Sequence, residues 1–155
     1  MSKSLARVRA ALRAAGVATE PVEMPGDTRT ADQAAMAANC ALDQIVKSIL
    51  FAGASGRLYL FLTSGSNQVD VNRASALAGE PLGRADPDQV RAQTGFAIGG
   101  VAPLGHLAPL PLWMDPHLFD FGQVWAAAGT PRHIFSIDPV TLQHITGAIC
   151  TDFTA

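Results

Sequence analysis

Two apolar β runs separated by a short glycine turn constrain this fold more than any other feature of the chain. The first run, residues 45–51, reads Ile-Val-Lys-Ser-Ile-Leu-Phe, and the second, residues 57–63, alternates leucines with aromatic side chains. Residues 53–56 lie between them and read Gly-Ala-Ser-Gly. A turn of this length and composition is typical of a hairpin, so the pattern predicts an antiparallel pair of strands.

Helical and extended patterns flank this hairpin on both sides. Helical periodicity predicts five helices, at residues 4–15, 31–39, 69–79, 87–93 and 139–145. Thr30 and Gln33 form a capping box ahead of the second helix. Further strands are predicted at residues 22–24, 111–114, 123–127, 133–137 and 148–152, and residues 96–98 are strand-like. The short links predict a single α/β domain over residues 1–155, a mixed, mostly antiparallel sheet wrapped by helices.

Composition allows a real hydrophobic core and argues against several classes of protein. The chain has 155 residues, of which 48% are hydrophobic and only 15% charged, which is unlike a disordered protein. The N-terminal segment lacks a signal-peptide core, and glycines and prolines interrupt the apolar residues 95–114, so we expect a cytoplasmic protein with no membrane partner. Cys40 and Cys150 lack zinc-site spacing, which predicts free thiols and no metal.

Lys47 is the first residue that points to chemistry. It is one of only two lysines, and by strand alternation it shares a face with Ile49 and Phe51. An ammonium group in such an apolar strand is expensive to bury unless an anionic or carbonyl group meets it, and a functional role is one explanation of the pattern. A lysine on an edge strand that reaches water or deters edge pairing explains the same pattern.

A glycine- and proline-rich segment is the second such feature. Residues 94–106 read Thr-Gly-Phe-Ala-Ile-Gly-Gly-Val-Ala-Pro-Leu-Gly-His. The paired glycines Gly99 and Gly100 allow positive φ and a close backbone approach to a ligand, so the loop can present main-chain groups to a pocket. Its spacing is neither GxGxxG nor a Walker motif, so it does not indicate a nucleotide phosphate site. A plain tight loop at a sheet corner remains an alternative.

Motifs for a nucleophile or an acid–base pair are missing from the sequence. The histidines are scattered, and only His106, beside the glycine-rich segment, and His133, at the start of a predicted strand, stand out. There is no Ser-His-Asp order, no GxSxG elbow and no pair of carboxylates with obvious spacing. The residues alone therefore identify no catalytic triad.

Four segments together resemble the YbaK/ProX-type tRNA-editing domain over most of the chain, from about residue 4 to residue 152. They are Thr30-x-x-x-Ala34-Ala35, the lysine strand at 45–51, the segment 94–106 and Asp138-Pro139-x-x-Leu142. The resemblance implies a mixed α/β fold and hydrolysis of the ester between an amino acid and the terminal adenosine of tRNA. In that family the tRNA is mostly the one for proline, carrying a wrong residue such as alanine or cysteine. No metal or organic cofactor is implied.

The resemblance also implies roles for particular residues. Lys47 matches the family lysine, which meets the terminal nucleotide or the ester, and the glycine loop, residues 99–105, flanks the scissile carbonyl, so Lys47 and Gly100 are the predicted catalytic residues. The predicted substrate-binding residues are Thr30, Ser48, Gly99, Val101, Ala102, Pro103, Gly105, His106 and His133. Preorganised donors stabilise the charge that develops on the carbonyl oxygen, and a water or a group of the substrate itself can attack. Ser48 stands where branches of the family differ, which leaves the edited amino acid open, and Ala102 stands where the family often has a serine.

The leading hypothesis is therefore a trans-acting deacylase for tRNA(Pro) that carries a wrong small amino acid. One alternative is a non-catalytic module that binds an aminoacyl end or a synthetase, and another is a lysine enzyme that forms a Schiff base. The expected partner is the 3′ end of aminoacyl-tRNA. Since the net charge is −2, the chain lacks the basic excess of an autonomous nucleic-acid binder, and prolyl-tRNA synthetase is a candidate partner to deliver the tRNA.

Overall fold

The computed structural model describes residues 2–155 and contains five α-helices packed around an eight-stranded sheet. The helices are α1 (Lys3–Ala14), α2 (Ala31–Ala38), α3 (Val71–Ala78), α4 (Pro87–Thr94) and α5 (Pro139–Thr146). The strands are β1 (Val22–Glu23), β2 (Ile45–Gly53), β3 (Leu58–Ser64), β4 (Leu82–Arg84), β5 (Leu112–Met114), β6 (Val124–Ala127), β7 (His133–Ile137) and β8 (Ile149–Cys150). Two 3₁₀ turns cover Leu42–Gln44 and Pro116–Asp120. Within residues 2–155, no helix has the length and apolar content that crossing a bilayer requires.

The sheet is mixed, as the sequence predicts. Its strand order is β1-β7-β6-β2-β3-β5-β8, and β4 pairs with β2 beside this path. Four pairings are antiparallel and three are parallel. The predicted fold class, a mixed α/β arrangement with a mostly antiparallel sheet, is therefore confirmed.

The predicted hairpin forms the centre of the sheet. β2 and β3 pair antiparallel from Val46 opposite Ser64 to Ala52 opposite Leu58. Every residue of β3 is buried because packed layers cover both faces of the sheet. On one face the leucines of β3 join the main core, and on the other Phe61 stacks on Trp113 with ring centroids 4.9 Å apart.

The predicted capping box at α2 is also confirmed. The Thr30 hydroxyl accepts a hydrogen bond from the Gln33 N–H at 3.2 Å, and the Gln33 side chain accepts one from the Thr30 N–H at 3.2 Å. Two otherwise unpaired N–H groups of the first turn are satisfied in this way, so the start of α2 is fixed. This matters for function because Thr30 lies at the rim of the cleft described below.

Two local predictions are wrong. Residues 96–98 are not a strand, because the Phe96 N–H donates to the Thr94 hydroxyl at 3.1 Å and the Gly100 N–H closes a turn on the Ala97 carbonyl at 3.0 Å. Local bonds therefore satisfy this backbone without a sheet. Strand β4 was missed, since Leu-Gly-Arg is too short to show alternation and owes its extended form to pairing with β2.

Candidate active site

The site begins as a gap in the sheet. Along one edge, β2 pairs with β6 only through Ile45 and Val46, and with β4 only from Phe51 to Gly53. Within the described part of the chain, residues 47–50 therefore have no strand partner on that edge. A cleft of about 300 Å³ opens on the face that carries Lys47.

The cleft is walled by four parts of the chain. These are the start of α2 with the loop before it, the first half of β2, the glycine loop, and the paired strands β6 and β7. The lining residues are Thr28, Arg29, Thr30, Ala31, Ala34, Ile45, Val46, Lys47, Ser48, Ile49, Ile98, Gly99, Val101, Trp125, Ala126, Ala127 and Ile134.

A second cavity of about 250 Å³ adjoins the cleft on the opposite face of β2. Most of its walls are apolar, with Leu50, Ala85 and Val90 from the edge of the main core and Arg84 as the charged exception. It shares five lining residues with the cleft, namely Ser48, Ile49, Ile98, Gly99 and Val101. The unpaired edge of β2 and the glycine loop thus form a common wall between the two spaces.

Lys47 is half-buried in the wall of the cleft, and its amine donates to the Asn67 carbonyl. Burial lowers the pKa of the Lys47 amine, while the carboxylates of Asp115 and Asp43 act in the opposite direction. An ammonium group has three N–H donors, and among residues 2–155 only the Asn67 carbonyl accepts from this one. Lys47 is therefore neither a free surface lysine nor fully paired.

The acceptor of Lys47 is itself held in place. The Asn67 side-chain amide donates to Asp115 at 2.9 Å, and the same carboxylate accepts from the Ser64 N–H at 3.1 Å. Asp115 is only 2% exposed and also accepts from the His117 N–H at 2.9 Å. A buried carboxylate with three donors is rigid, so the loop that meets Lys47 is fixed against the sheet.

The glycine loop reaches the cleft through Gly99 and Val101. Gly99 has φ +91°, a conformation that favours glycine, and it faces both cavities. A Cβ on Gly100 would lie only 2.9 Å from the backbone carbonyl carbon of Thr130, so this position needs glycine for close packing. The Gly100 N–H is taken by Ala97, whereas the Val101 N–H donates to no group among residues 2–155.

Helix α1 holds the back of the loop. The Arg7 guanidinium donates to the carbonyls of Gly95 at 2.7 Å and Gly105 at 3.3 Å, and it lies 4.8 Å from the ring centroid of Phe96. A planar guanidinium that bridges two carbonyls ten positions apart ties both ends of the segment to one helix. The loop is therefore preorganised before any ligand arrives.

The structure brings together five of the predicted site residues: Lys47, Thr30, Ser48, Gly99 and Val101 line one cleft. Six others do not line it, namely Gly100, Ala102, Pro103, Gly105, His106 and His133. The His106 ring donates from Nε2 to the Ala102 carbonyl at 2.7 Å, and burial lowers the pKa of His106. The His133 ring pairs with the Thr130 hydroxyl at 2.6 Å, behind the loop.

Two cleft residues with recognisable binding chemistry, Arg29 and Trp125, were missed from the sequence. Arg29 lies in a segment that predicts only a turn, and its side chain is mostly exposed, with Asp27 3.8 Å away. Trp125 enters the cleft because β6 pairs in parallel with β2, which local sequence does not indicate. Across residues 2–155, no three His, Cys, Asp or Glu side chains converge as metal ligands would.

Ser48 has the only fully covered side-chain oxygen or nitrogen in residues 2–155 that lacks a hydrogen-bond partner. Buried hydroxyl groups are nearly always paired, and an unpaired one is a reason to look for a ligand or a functional role. Here the unpaired hydroxyl belongs to a residue that lines both cavities. The combination marks Ser48 as a candidate contact for a bound molecule.

Comparison with known proteins identifies the class to which this fold and cleft belong. The family model of the aminoacyl-tRNA editing domain matches residues 25–145, and the chain belongs to that family. A crystal structure described as a candidate trans-editing enzyme for prolyl-tRNA synthetase is 47% identical, with a TM-score of 0.93 over 100% of this chain and 99% of that chain.

Two further relatives have no described activity. The structure of the hypothetical protein APE2540 is 26% identical, with a TM-score of 0.89 over 96% of this chain and 99% of that chain. The uncharacterised protein YwhH of Bacillus subtilis is 27% identical over 124 residues, which cover 80% of this chain and 79% of that protein. The predicted family resemblance is therefore confirmed across nearly the whole chain.

Proposed function

We propose that this chain is a trans-acting aminoacyl-tRNA deacylase, which hydrolyses the ester of tRNA(Pro) charged with a wrong small amino acid. The observation that carries the proposal is the gap in the sheet, where Lys47 and the glycine loop line one cleft. Membership of the editing family supports the reaction. The similar structure described as a candidate trans-editing enzyme for prolyl-tRNA synthetase supports the choice of tRNA.

The two adjoining spaces suit the two parts of an aminoacyl-adenosine. The larger cleft offers the Trp125 ring for stacking a base and the Arg29 guanidinium for a phosphate. The smaller cavity is lined by Leu50, Ala85 and Val90 and suits a small amino-acid side chain. The ester then lies at the wall that the two spaces share, beside Ser48 and the glycine loop.

Hydrolysis at this wall needs stabilisation of an oxyanion rather than a protein nucleophile. As water attacks the carbonyl carbon, negative charge develops on the carbonyl oxygen. The bond from that carbon to the ribose oxygen then breaks, which releases the free amino acid and the terminal hydroxyl of the tRNA. Within residues 2–155 the Val101 N–H has no acceptor, and the Lys47 ammonium has donors beyond the one that bonds Asn67. Removal of one such preorganised donor typically costs about 10²–10³ in rate.

The direct test measures amino acid released from a panel of mischarged tRNA(Pro) molecules, with cognate prolyl-tRNA(Pro) as the control. We expect hydrolysis above the spontaneous rate for at least one small wrong amino acid, and none for prolyl-tRNA(Pro). Saturable binding of a non-hydrolysable aminoacyl-adenosine with no turnover on any tRNA would contradict the proposal and favour the binding module.

A further inference from the structure

The backbone of β2 points hydrogen-bonding groups into the gap, where no strand among residues 2–155 pairs with them. The Gly53 N–H donates to the Arg57 carbonyl at 2.8 Å, so the odd-numbered residues of β2 direct their main-chain groups toward β3. The Leu60 N–H donates away from β2, to Pro111 at 3.0 Å, as this alternation requires. Ser48 and Leu50, which are even-numbered, therefore direct their N–H and C=O groups to the opposite edge.

Among the described residues, 2–155, no strand pairs with that edge at Ser48 and Leu50. β6 ends its pairing at Val46 and β4 starts at Phe51, and the glycine loop lies across the second cavity. The Ser48 carbonyl and the Leu50 N–H flank Ile49, which is the arrangement that binds one residue of a parallel strand. β6 already pairs with β2 in parallel, so a parallel ligand in the gap would extend the same hydrogen-bond pattern along β2.

A single aminoacyl group supplies the donor and the acceptor that match the Ser48 carbonyl and the Leu50 N–H. It has N–H donors on its α-nitrogen and a carbonyl one carbon away, in the order found in a strand residue. Peptide ligands that add to an open sheet edge bind through the same main-chain bonds. A ligand of one residue is short enough for the gap, which spans only residues 47–50.

We infer that the open edge of β2 binds the aminoacyl group as a one-residue parallel strand. The α-ammonium donates to the Ser48 carbonyl, and the ester carbonyl accepts from the Leu50 N–H while the glycine loop covers its other side. This inference rests on the proposed function and specifies its substrate class. The site selects esters that carry a hydrogen-bond donor on the α-carbon, whatever the side chain.

Three acyl esters of tRNA(Pro) with one carbon skeleton test this inference. Alanyl, lactyl and propionyl esters carry an ammonium, a hydroxyl and a hydrogen on the α-carbon, and none is larger than the alanyl group. Each enzymatic rate is divided by the spontaneous hydrolysis rate of the same ester, which removes intrinsic reactivity. If another amino acid is cleaved faster in the panel, its hydroxy and deaminated analogues replace this series.

We expect the alanyl ester to be fastest, the lactyl ester intermediate, and the propionyl ester slower than alanyl by about tenfold or more, because it leaves the Ser48 carbonyl unpaired. Ser48→Ala is the matched control, since it keeps the main-chain carbonyl and must preserve the alanyl-to-propionyl ratio.

The possible outcomes separate this inference from the proposed function. Equal normalised rates for the alanyl and propionyl esters overturn the strand-edge inference and leave the deacylase intact. A ratio that collapses in Ser48→Ala also overturns it, because the side chain would then read the amine. No turnover of any ester overturns both.

Discussion

At the scale of single residues, the Ser48 hydroxyl is covered and has no hydrogen-bond partner among residues 2–155. An unpaired buried hydroxyl costs about 1–3 kcal/mol relative to a paired one. We expect Ser48→Ala to leave the free energy of unfolding unchanged or to raise it by up to about 1 kcal/mol. Urea unfolding with an unchanged m-value measures this effect.

Ser64 on the neighbouring strand is the matched control. Its buried hydroxyl donates to the Asp43 carbonyl at 2.7 Å, so Ser64→Ala removes a real bond and should lower the free energy of unfolding by about 1 kcal/mol. Equal destabilisation by the two substitutions would show that the Ser48 hydroxyl is paired in solution.

A substitution at Gly100 tests whether the position of the glycine loop matters for stability and activity. A Cβ there would lie 2.9 to 3.1 Å from backbone atoms of Thr130, so Gly100→Ala must displace one of two backbone segments. We expect a loss of stability of about 1–3 kcal/mol and a fall in the deacylation rate, because the shift moves Gly99 and Val101 in the cleft wall. Gly122→Ala, where a Cβ meets nothing within 4 Å, should do neither. A fully active Gly100→Ala enzyme would contradict a role for this part of the loop.

Five of the predicted site residues line the cleft, and the sequence marks them in two ways. Lys47 interrupts an apolar run and Gly99 begins the glycine pair, whereas the family resemblance is what pointed to Thr30, Ser48 and Val101. Arg29 and Trp125 could not be predicted in the same way. Trp125 reaches the cleft because β6 pairs in parallel with β2, a segment far away in the chain. No pattern within β6 indicates which strand it pairs with.

At the scale of elements, His117 joins the two 3₁₀ turns behind Lys47. Its Nδ1 lies 2.7 Å from an Asp120 oxygen and its Nε2 lies 3.2 Å from an Asp43 oxygen, so the protonated ring donates to both turns. Hydrogen bonds to Asp120 and then to Asp43 raise the pKa of His117. The folded state therefore binds this proton more tightly than the unfolded state.

The direction in which the free energy of unfolding changes with pH follows from the raised pKa of His117 in the folded state. A raised pKa in the folded state gives a stabilisation that is complete below the unfolded value of about 6.5 and is lost as the pH rises through the folded value. We expect His117→Gln to lower the free energy of unfolding at pH 5.5 and to have a much smaller effect at pH 9. Urea unfolding at the two pH values measures the difference, and an effect that grows with pH would contradict this role. Ser66 lowers the pKa of Asp43, which confines the titration of that carboxylate to more acidic pH.

Element prediction succeeded where the cause was local. The hairpin and the capping box at Thr30 depend on neighbouring residues, and both form. It failed where an apolar triplet, residues 96–98, is satisfied by turn bonds, and where β4 is extended only because β2 lies beside it. Tertiary pairing, which a single sequence does not display, decides β4, whereas local turn bonds decide residues 96–98.

At the scale of the whole molecule, net charge limits how this protein meets its substrate. A formal charge of −2 gives little general attraction to phosphate, so binding to free tRNA relies on the few contacts near the cleft. We expect weak binding of uncharged tRNA(Pro) that weakens further between about 50 and 200 mM salt, measured by fluorescence anisotropy. We expect the amount of tRNA(Pro) bound to this chain to increase when prolyl-tRNA synthetase is added. Tight binding that survives high salt would contradict this expectation.

The fold class was predictable for the whole chain, but the sheet order was not. Interspersed helices and strands with short links indicate a mixed sheet around one core. The three parallel pairings join β2 to β6, β3 to β5, and β5 to β8, and each depends on packing rather than on a turn. The gap that forms the cleft arises from this order, so the sequence indicated residues of the site without its shape.

We propose that Lys47 and the glycine loop act on one ester at the open edge of β2. Single-turnover deacylation of the mischarged tRNA(Pro) that is cleaved fastest in the panel measures the part that Lys47 plays. We expect Lys47→Ala to slow hydrolysis by about 10²–10³, whereas Lys3→Ala, on the exposed side of α1, should keep the wild-type rate. A folded Lys47→Ala enzyme that is as fast as the wild type would show that Lys47 takes no part in the reaction.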